Sequence, residues 1–243
     1  MGPVHQHYKT FWTPAYWQAY CEGHPVRRYR GERERQLMLQ LLRLEDGHRV
    51  LEAGCGYGRL SRTLLAHRRI RWTGVELSLA MARHCREHLP GHPPVIGADI
   101  SDLPFASATF DRVLCSGVLM HLEDENKALA ELVRVTRPGG LLVVSGNNVF
   151  HLLGPLMHVR ALFRRNYIQR FHPASFYRGH LERLGCRVEA VCGDTLLGVG
   201  VQVLGWVRLP PAWALPLVRK VDRWGESLLP HFGYELWFQA VKC

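Results

Sequence analysis

Residues 49–58 read Arg-Val-Leu-Glu-Ala-Gly-Cys-Gly-Tyr-Gly, a short apolar run that ends in glycines at the alternate positions 54, 56 and 58 and passes straight into a helical stretch. No other segment constrains the fold as much. A strand that feeds a helix N-terminus through a tight turn without Cβ atoms belongs to a parallel α/β sheet, and it lets the backbone approach a bound group closely. The surrounding chain agrees: from Arg49 to Val144 short β-branched or apolar runs alternate with longer helical stretches, as in βαβ units.

The pattern predicts strands over Arg49–Ala53, Arg71–Glu76, Val95–Ala98, Phe110–Ser116 and Leu141–Ser145. Ser78 caps a helix running to about Leu89, where Pro90-Gly91 stops it, and Asp124 caps another running to Thr136. Pro138-Gly139-Gly140 then ends that helix and turns the chain into the next strand. A helix over Pro173–Leu184, a strand over Cys186–Val191 and a closing strand over Tyr234–Lys242 complete the regular part. Three segments lie outside it: residues 1–48, Asn147–Phe171, and the Pro-, Leu- and Trp-rich stretch Leu196–Phe232. The last two follow the carboxyl ends of strands, the edge of an open α/β sheet where ligands bind.

With 243 residues, 47% hydrophobic and 21% charged, the chain is sized for one α/β domain and is neither disordered, collagenous nor coiled-coil. The net charge is +10, nearly all of it arginine and mostly scattered, with local clusters at Arg27–Arg35 and Arg160–Arg170. Seven cysteines without a Cys-x-x-Cys pair, and no signal-peptide pattern, favour a reducing compartment, so the expectation is a cytoplasmic protein. The most apolar stretch, Thr195–Val218, is broken by Gln202, Arg208, prolines and glycines, short of the ~18 uninterrupted apolar residues of a spanning helix.

A dinucleotide fingerprint, G-x-G-x-x-G, would put its third small residue where Arg59 stands. What is present is Glu52-x-Gly54-x-Gly56-x-Gly58, which resembles the first motif of the class I S-adenosylmethionine-dependent methyltransferases. Glu76 closes the second strand 24 residues later; Asp99-Ile100 follows the third in a run similar to that family's adenine-contacting loop. Phe110–Leu122 and Arg137-Pro138-Gly139-Gly140 look like the fourth strand and the turn before the fifth in the ubiquinone/menaquinone-type small-molecule group. Four motifs in order over about 100 residues carry weight that one would not.

The resemblance implies a doubly wound, mostly parallel, seven-stranded Rossmann-like sheet with an antiparallel last strand, an N-terminal helical lid (residues 1–48), a cofactor-binding core (49–148), and substrate-cap insertions after strands 5 and 6 (149–172 and 196–232), all in one domain. It also implies S-adenosylmethionine as cofactor and a site assembled from Glu52, Gly54, Gly56, Gly58, Glu76, Leu77, Asp99, Ile100 and Ser116. Glu76 would accept from the ribose hydroxyls and Asp99 from the adenine amino group, with the Ile100 N–H on a ring nitrogen. The glycine turn would pass under the methionyl part, which Ser116 contacts, while Glu52 orders the turn or meets the amino group through water.

Methyl transfer removes the sulfonium charge, so acids belong on the ribose and amino ends rather than on the sulfur. His121, just past the fourth strand, is the candidate base, with a histidine packed over the cofactor as the plainer reading. Asn147 and His151, after the fifth strand, are candidates to face the acceptor. So are Tyr8, Trp12 and Tyr16, part of an aromatic stripe with Phe11, Trp17 and Tyr20 that would cup an apolar acceptor; core packing is the alternative. Leu152, Leu156, Val159 and Phe163, flanked by Arg160, Arg164 and Arg165, read as a substrate cap in preference to a membrane-surface helix. Asp111 is expected to be structural, and His84, Cys85 and His88 to be surface residues, so no metal is expected.

The reading is a methyltransferase acting on O, N or C of a small, apolar or aromatic acceptor. Ser116-Gly117-Val118-Leu119 stands where base-modifying relatives carry Asn/Asp-Pro-Pro-Tyr, so nucleic acid is not expected as a partner. An RNA or protein methyltransferase and a catalytically silent cofactor-binding partner are the alternatives.

Overall fold

A computed structural model of the chain describes residues 13–151, 170–196, 213, 215–228 and 231–243. Seven strands, β1 (Arg49–Ala53), β2 (Arg71–Glu76), β3 (Val95–Gly97), β4 (Phe110–Cys115), β5 (Thr136–Asn147), β6 (Cys186–Gly193) and β7 (Glu235–Lys242), form one sheet in the order β3-β2-β1-β4-β5-β7-β6. β7 runs antiparallel to both its neighbours, and the other pairs are parallel. The order reverses between β1 and β4, so their carboxyl ends diverge and open a crevice there.

Seven helices are described: α1 (Pro14–Glu22), α2 (Pro25–Leu42), α3 (Arg59–His67), α4 (Leu79–His88), α5 (Glu125–Val135), α6 (Ala174–Arg183) and α7 (Leu215–Leu228). Alternation along the strands divides the core in two. Leu51, Val113, Val144 and Phe238 face α5 and α6 through Leu129, Leu132, Tyr177 and Leu181. Val50, Leu114, Val143 and Trp237 face α2, α3 and α4 through Met38, Leu41, Leu64 and Cys85. Cys85 is therefore a core residue and not the surface one that the sequence suggested, while His84 and His88 stack on each other.

The segment expected to be a lid is also structural. α2 buries Leu37, Met38, Leu41 and Leu42 against the sheet, each such side chain contributing roughly 1.5–3 kcal/mol over exposure. Its C-terminal carbonyls are satisfied by the sheet: Arg112 Nε donates to Leu42 O at 2.7 Å, and Gln239 donates to Leu41 O. This end fixes α2 lengthwise, so its Arg30 and Glu34 are carried to the carboxyl edge of the sheet.

The expected caps form. Ser78 Oγ accepts from Met81 N at 3.5 Å, and Asp124 Oδ1 accepts from Asn126 N and Lys127 N at 3.0 and 3.1 Å. Asp111 is structural, accepting from Arg49 N at 2.6 Å and pairing with Arg137 at 2.7 Å. The Pro-Gly-Gly segment differs from expectation. α5 already stops at Val135, Thr136 pairs with Phe110, and Pro138-Gly139-Gly140 forms an irregularity inside β5 with Gly139 at φ +71°. Lys242 Nζ satisfies carbonyls at the end of α5, donating to those of Val133 and Thr136 at 2.8 Å each.

Candidate functional site

The glycine elbow hangs from the end of β2: Gly54 N and Cys55 N both donate to Val75 O, at 2.7 and 3.0 Å. Gly54 has φ +81°, and a Cβ there would lie 2.3 Å from Val118 Cγ2. Gly56 and Gly117, at φ +56° and +69°, face open space instead, with nothing within 4 Å of an added Cβ. Gly58, at φ +89°, starts α3.

Glu76 closes this cradle. Its Oε2 accepts from Gly56 N and its Oε1 from Ser78 N, both at 2.9 Å. Burial pushes its carboxyl above the ordinary range, and the N–H groups of Ser78, Gly56 and Leu77 only partly offset that. Each oxygen has acceptor capacity left beside its one backbone N–H, which suits the two hydroxyls of a diol. Asp99, on the next loop, accepts from Ser101 N at 2.9 Å, with buried Ile100 beside it. Glu76, Leu77, Asp99, Ile100 and the three glycines thus come together along the ends of β1, β2 and β3.

Glu52 is placed differently from a solvated strand-end acid. It is 3% exposed, and its Oε2 accepts from Ser61 Oγ at 2.7 Å and Trp72 Nε1 at 3.0 Å, tying β1 to α3 and β2 beneath the elbow. Burial raises its carboxyl to about 7.

Beside the elbow lies an ionic layer that sequence reasoning did not single out. Arg59 Nη2 is 2.6 Å from Glu34 Oε2, and Ser116 Oγ donates to Glu34 Oε1 at 3.0 Å. Further along, Arg30 meets Asp194 Oδ2 at 3.1 Å and Glu235 Oε2 at 2.8 Å. Ser145 Oγ accepts from Gly117 N at 3.0 Å and donates to Glu235. Burial pushes Asp194 up to about 7, with Arg30 opposing and Glu235 adding to the rise. Arg59 had registered only as a break in a dinucleotide fingerprint, and Arg30 and Glu34 as parts of an arginine-rich run. Their spacing of four on one helix was the available signal. Asp194 and Glu235, more than forty positions apart, are joined only by β6/β7 pairing.

At the end of β5, Asn147 is 1% exposed, and neither its Nδ2 nor its Oδ1 has a hydrogen-bond partner among the described residues. Asp194 Oδ1 and Thr195 Oγ1 are also buried and without a partner among the described residues. Buried polar atoms of this kind mark a place where water or a ligand group belongs. His151 is buried with its ring 5.2 Å from Tyr234 and 5.9 Å from Phe171. His121 sits half-buried on a single 3-10 turn, Leu119–His121, directly beyond β4. Tyr16 is 46% exposed on α1, stacked on Tyr20. Tyr8, Trp12 and Phe11, the stripe Leu152–Phe163 and its arginines lie outside the described residues.

A cavity of about 470 Å³ between Arg49, Trp72, Pro94 and Phe110 opens at the amino ends of the strands, the opposite edge, and contains none of these acids.

Comparison with known proteins agrees with the edge that carries the elbow. The family described as "Methyltransferase domain" matches residues 51–144. The chain is 31% identical to an O-methyltransferase of Pyrenophora dematioidea over 71% of its own length and 77% of that protein. It is 35% identical to the demethylmenaquinone methyltransferase of Renibacterium salmoninarum, over 46% of this chain and 47% of that one. The chain spans less than half the length of several other curated relatives that it matches. Among solved structures, the magnesium protoporphyrin IX methyltransferase of Synechocystis with bound SAH superposes with a TM-score of 0.69 at 17% identity, covering 99% of this chain and 98% of that one.

Proposed function

This chain belongs to the class I S-adenosylmethionine-dependent methyltransferases, and we propose that it moves a methyl group to O, N or C of a small, apolar or aromatic acceptor. The observation that carries this reading is the Glu76 carboxylate held by Gly56 N and Ser78 N at the mouth of an open glycine cradle. When bound, S-adenosylmethionine supplies an electrophilic methyl group on a sulfonium. Glu76 accepts from the ribose diol, with Leu77 beside it, and Asp99 and the Ile100 N–H take the adenine edge. Gly54, Gly56 and Gly58 would hold the methionyl part, and Ser116, bonded to Glu34, would contact it. Glu52 acts from below, by fixing α3 and β2 to the turn.

The acceptor would lie over Gly117, between Asn147, His151, Tyr234 and Asp194, a reading supported by the buried polar atoms and aromatic rings on that edge. Aromatic walls there exclude water and align an apolar body in line with the methyl group, which supplies most of the catalysis. The unpartnered atoms of Asn147, Thr195 and Asp194 receive a polar substituent of that body. His121 takes the proton where the acceptor must lose one. α2, whose Arg30 meets Asp194 and Glu235, would cover this pocket on one side. None of the described helices is long and apolar enough to cross a membrane, and the working compartment we infer is the cytoplasm.

The test is calorimetry with S-adenosylhomocysteine followed by an acceptor screen. The reading expects uptake by the chain, strong loss in Glu76→Ala, and methylation of phenols, quinols or similar apolar rings. Turnover confined to small polar acids or amines refutes the acceptor class, and binding of a pyridine nucleotide in place of S-adenosylhomocysteine refutes the whole.

A further inference from the structure

Seven large apolar side chains stand exposed among the described residues, and five of them, Phe150, Trp213, Leu217, Trp224 and Phe232, lie on the connections leaving the carboxyl ends of β5 and β6. Single exposed apolar residues are ordinary, but such a concentration on one edge calls for an occupant.

α7 shows how that surface is built. One side of the helix is anchored: Val218 and Asp222 are buried, Asp222 Oδ1 accepts from Leu196 N at 2.9 Å, and Arg219 reaches Glu32 at 3.5 Å and lies 5.3 Å from the Tyr29 ring centre. These contacts fix the helix's rotation. The opposite side presents Leu217, Lys220 and Trp224 at steps of three and four, with Trp213 four residues ahead of Leu217. Trp213, Leu217 and Trp224 are 81%, 62% and 72% exposed, and Lys220 and Arg223 are exposed with them.

The position of Lys220 decides between partners. Centres of protein–protein interfaces are depleted in lysine, yet Lys220 stands in the middle of this stripe. On a bilayer the same arrangement is favourable, since the lysine stem lies along the apolar surface while its ammonium reaches the phosphates. Tryptophan prefers the headgroup level, and a helix with an apolar stripe and basic flanks lies in the plane of an anionic interface. The net charge of +10 acts in the same direction.

We propose that the outer side of α7 docks on an anionic phospholipid surface, seating Leu217 and Trp224 at the acyl boundary with Lys220 and Arg223 on the phosphates, the exposed Trp213 ahead of the helix adding to the same contact. This goes beyond the methyl-transfer reading and does not depend on it.

The test is co-sedimentation of the full chain with phosphatidylcholine vesicles and with vesicles in which phosphatidylglycerol replaces part of that lipid. The expected result is pelleting with the anionic vesicles, weakened by salt, and at least about tenfold weaker binding for Leu217→Ser with Trp224→Ser and for Lys220→Glu with Arg223→Glu. The exposed positions leave the fold intact, checked by an unchanged melting temperature and unchanged S-adenosylhomocysteine binding. The proposal is overturned if the chain stays in the supernatant with anionic vesicles, or if both variant pairs pellet like the parent. It is equally overturned if, without lipid, the parent sediments as a dimer that the Leu217/Trp224 pair dissociates, for then a second copy covers the stripe.

Discussion

Arg59, the first residue of α3, is 2.6 Å from Glu34 in the middle of α2, so the helix that leaves the glycine elbow is bonded to the helix that covers it. Burial alone would raise the Glu34 carboxyl, but Arg59 and then Arg30, with hydrogen bonds from Arg59 and Ser116, hold it below its ordinary range. Glu34→Ala leaves Arg59 without its partner and is expected to cost about 2–3 kcal/mol, seen as a lower urea midpoint with an unchanged slope. S-adenosylhomocysteine affinity should fall with it. Lost stability at unchanged affinity would mean that α2 merely overlies the site.

Glu76 is expected to affect cofactor binding beyond what it contributes to the order of the elbow. Both of its oxygens already accept a backbone N–H, and each retains a lone pair toward the cradle. Glu76→Ala removes the charged acceptor of the ribose diol, worth roughly 2–3 kcal/mol or about a hundredfold in Kd. Glu76→Gln keeps one acceptor but turns its amide NH2 against either Gly56 N or Ser78 N, so it should recover only part of that loss. Calorimetry with S-adenosylhomocysteine measures both, and equal losses in the two variants would show that charge, not acceptor count, governs this contact.

The division between what the sequence disclosed and what it hid follows from distance along the chain. The cradle was legible because its parts are local: a strand, three glycines and strand-end acids at readable spacing, and Ser78 and Asp124 as caps. Pro138-Gly139-Gly140 misled because pairing of Thr136 with Phe110 takes the segment into β5 as an irregularity and does not leave it as a turn before the strand. The layer of Arg30, Glu34, Asp194 and Glu235 was hidden because helix α2 and two antiparallel strands meet only in the folded sheet. Cys85 looked like a surface residue beside two histidines, and only the packing of α4 turned it inward.

Glu52 gives the chain a pH signature. Its ordinary value of 4.5 is raised by burial to about 7, so the folded state binds its proton more tightly than the unfolded state. The stabilisation is therefore complete below 4.5 and is lost as pH rises toward about 7. Glu52→Gln keeps an acceptor for Ser61 and Trp72 without the charge. Its melting temperature relative to the parent should rise across that window, by an amount corresponding to on the order of 3 kcal/mol, and be flat above it. Asp194, also raised to about 7, adds a slope of the same sign, so Glu52→Gln should reduce the parent's pH dependence without abolishing it. A difference between the two proteins that does not change with pH would place the titration elsewhere.

The elbow glycines should fail in different ways. At Gly54 both the backbone and the space forbid a side chain: φ is +81°, and the new Cβ would stand 2.3 Å from Val118 Cγ2. Gly54→Ala must displace Val118 and the turn after β4, and a loss of about 3 kcal/mol or more is expected from strain and overpacking together. Gly56 has φ +56° but nothing within 4 Å of an added Cβ, so Gly56→Ala pays only the left-handed backbone term, roughly 1–2 kcal/mol. Its methyl group, however, projects into the space assigned to the cofactor. Gly56→Ala should thus fold with a modestly lowered melting temperature yet bind S-adenosylhomocysteine at least about tenfold more weakly, whereas Gly54→Ala should lose stability first. If Gly56→Ala bound the cofactor like the parent, the open side of the elbow would not be where the methionyl part lies.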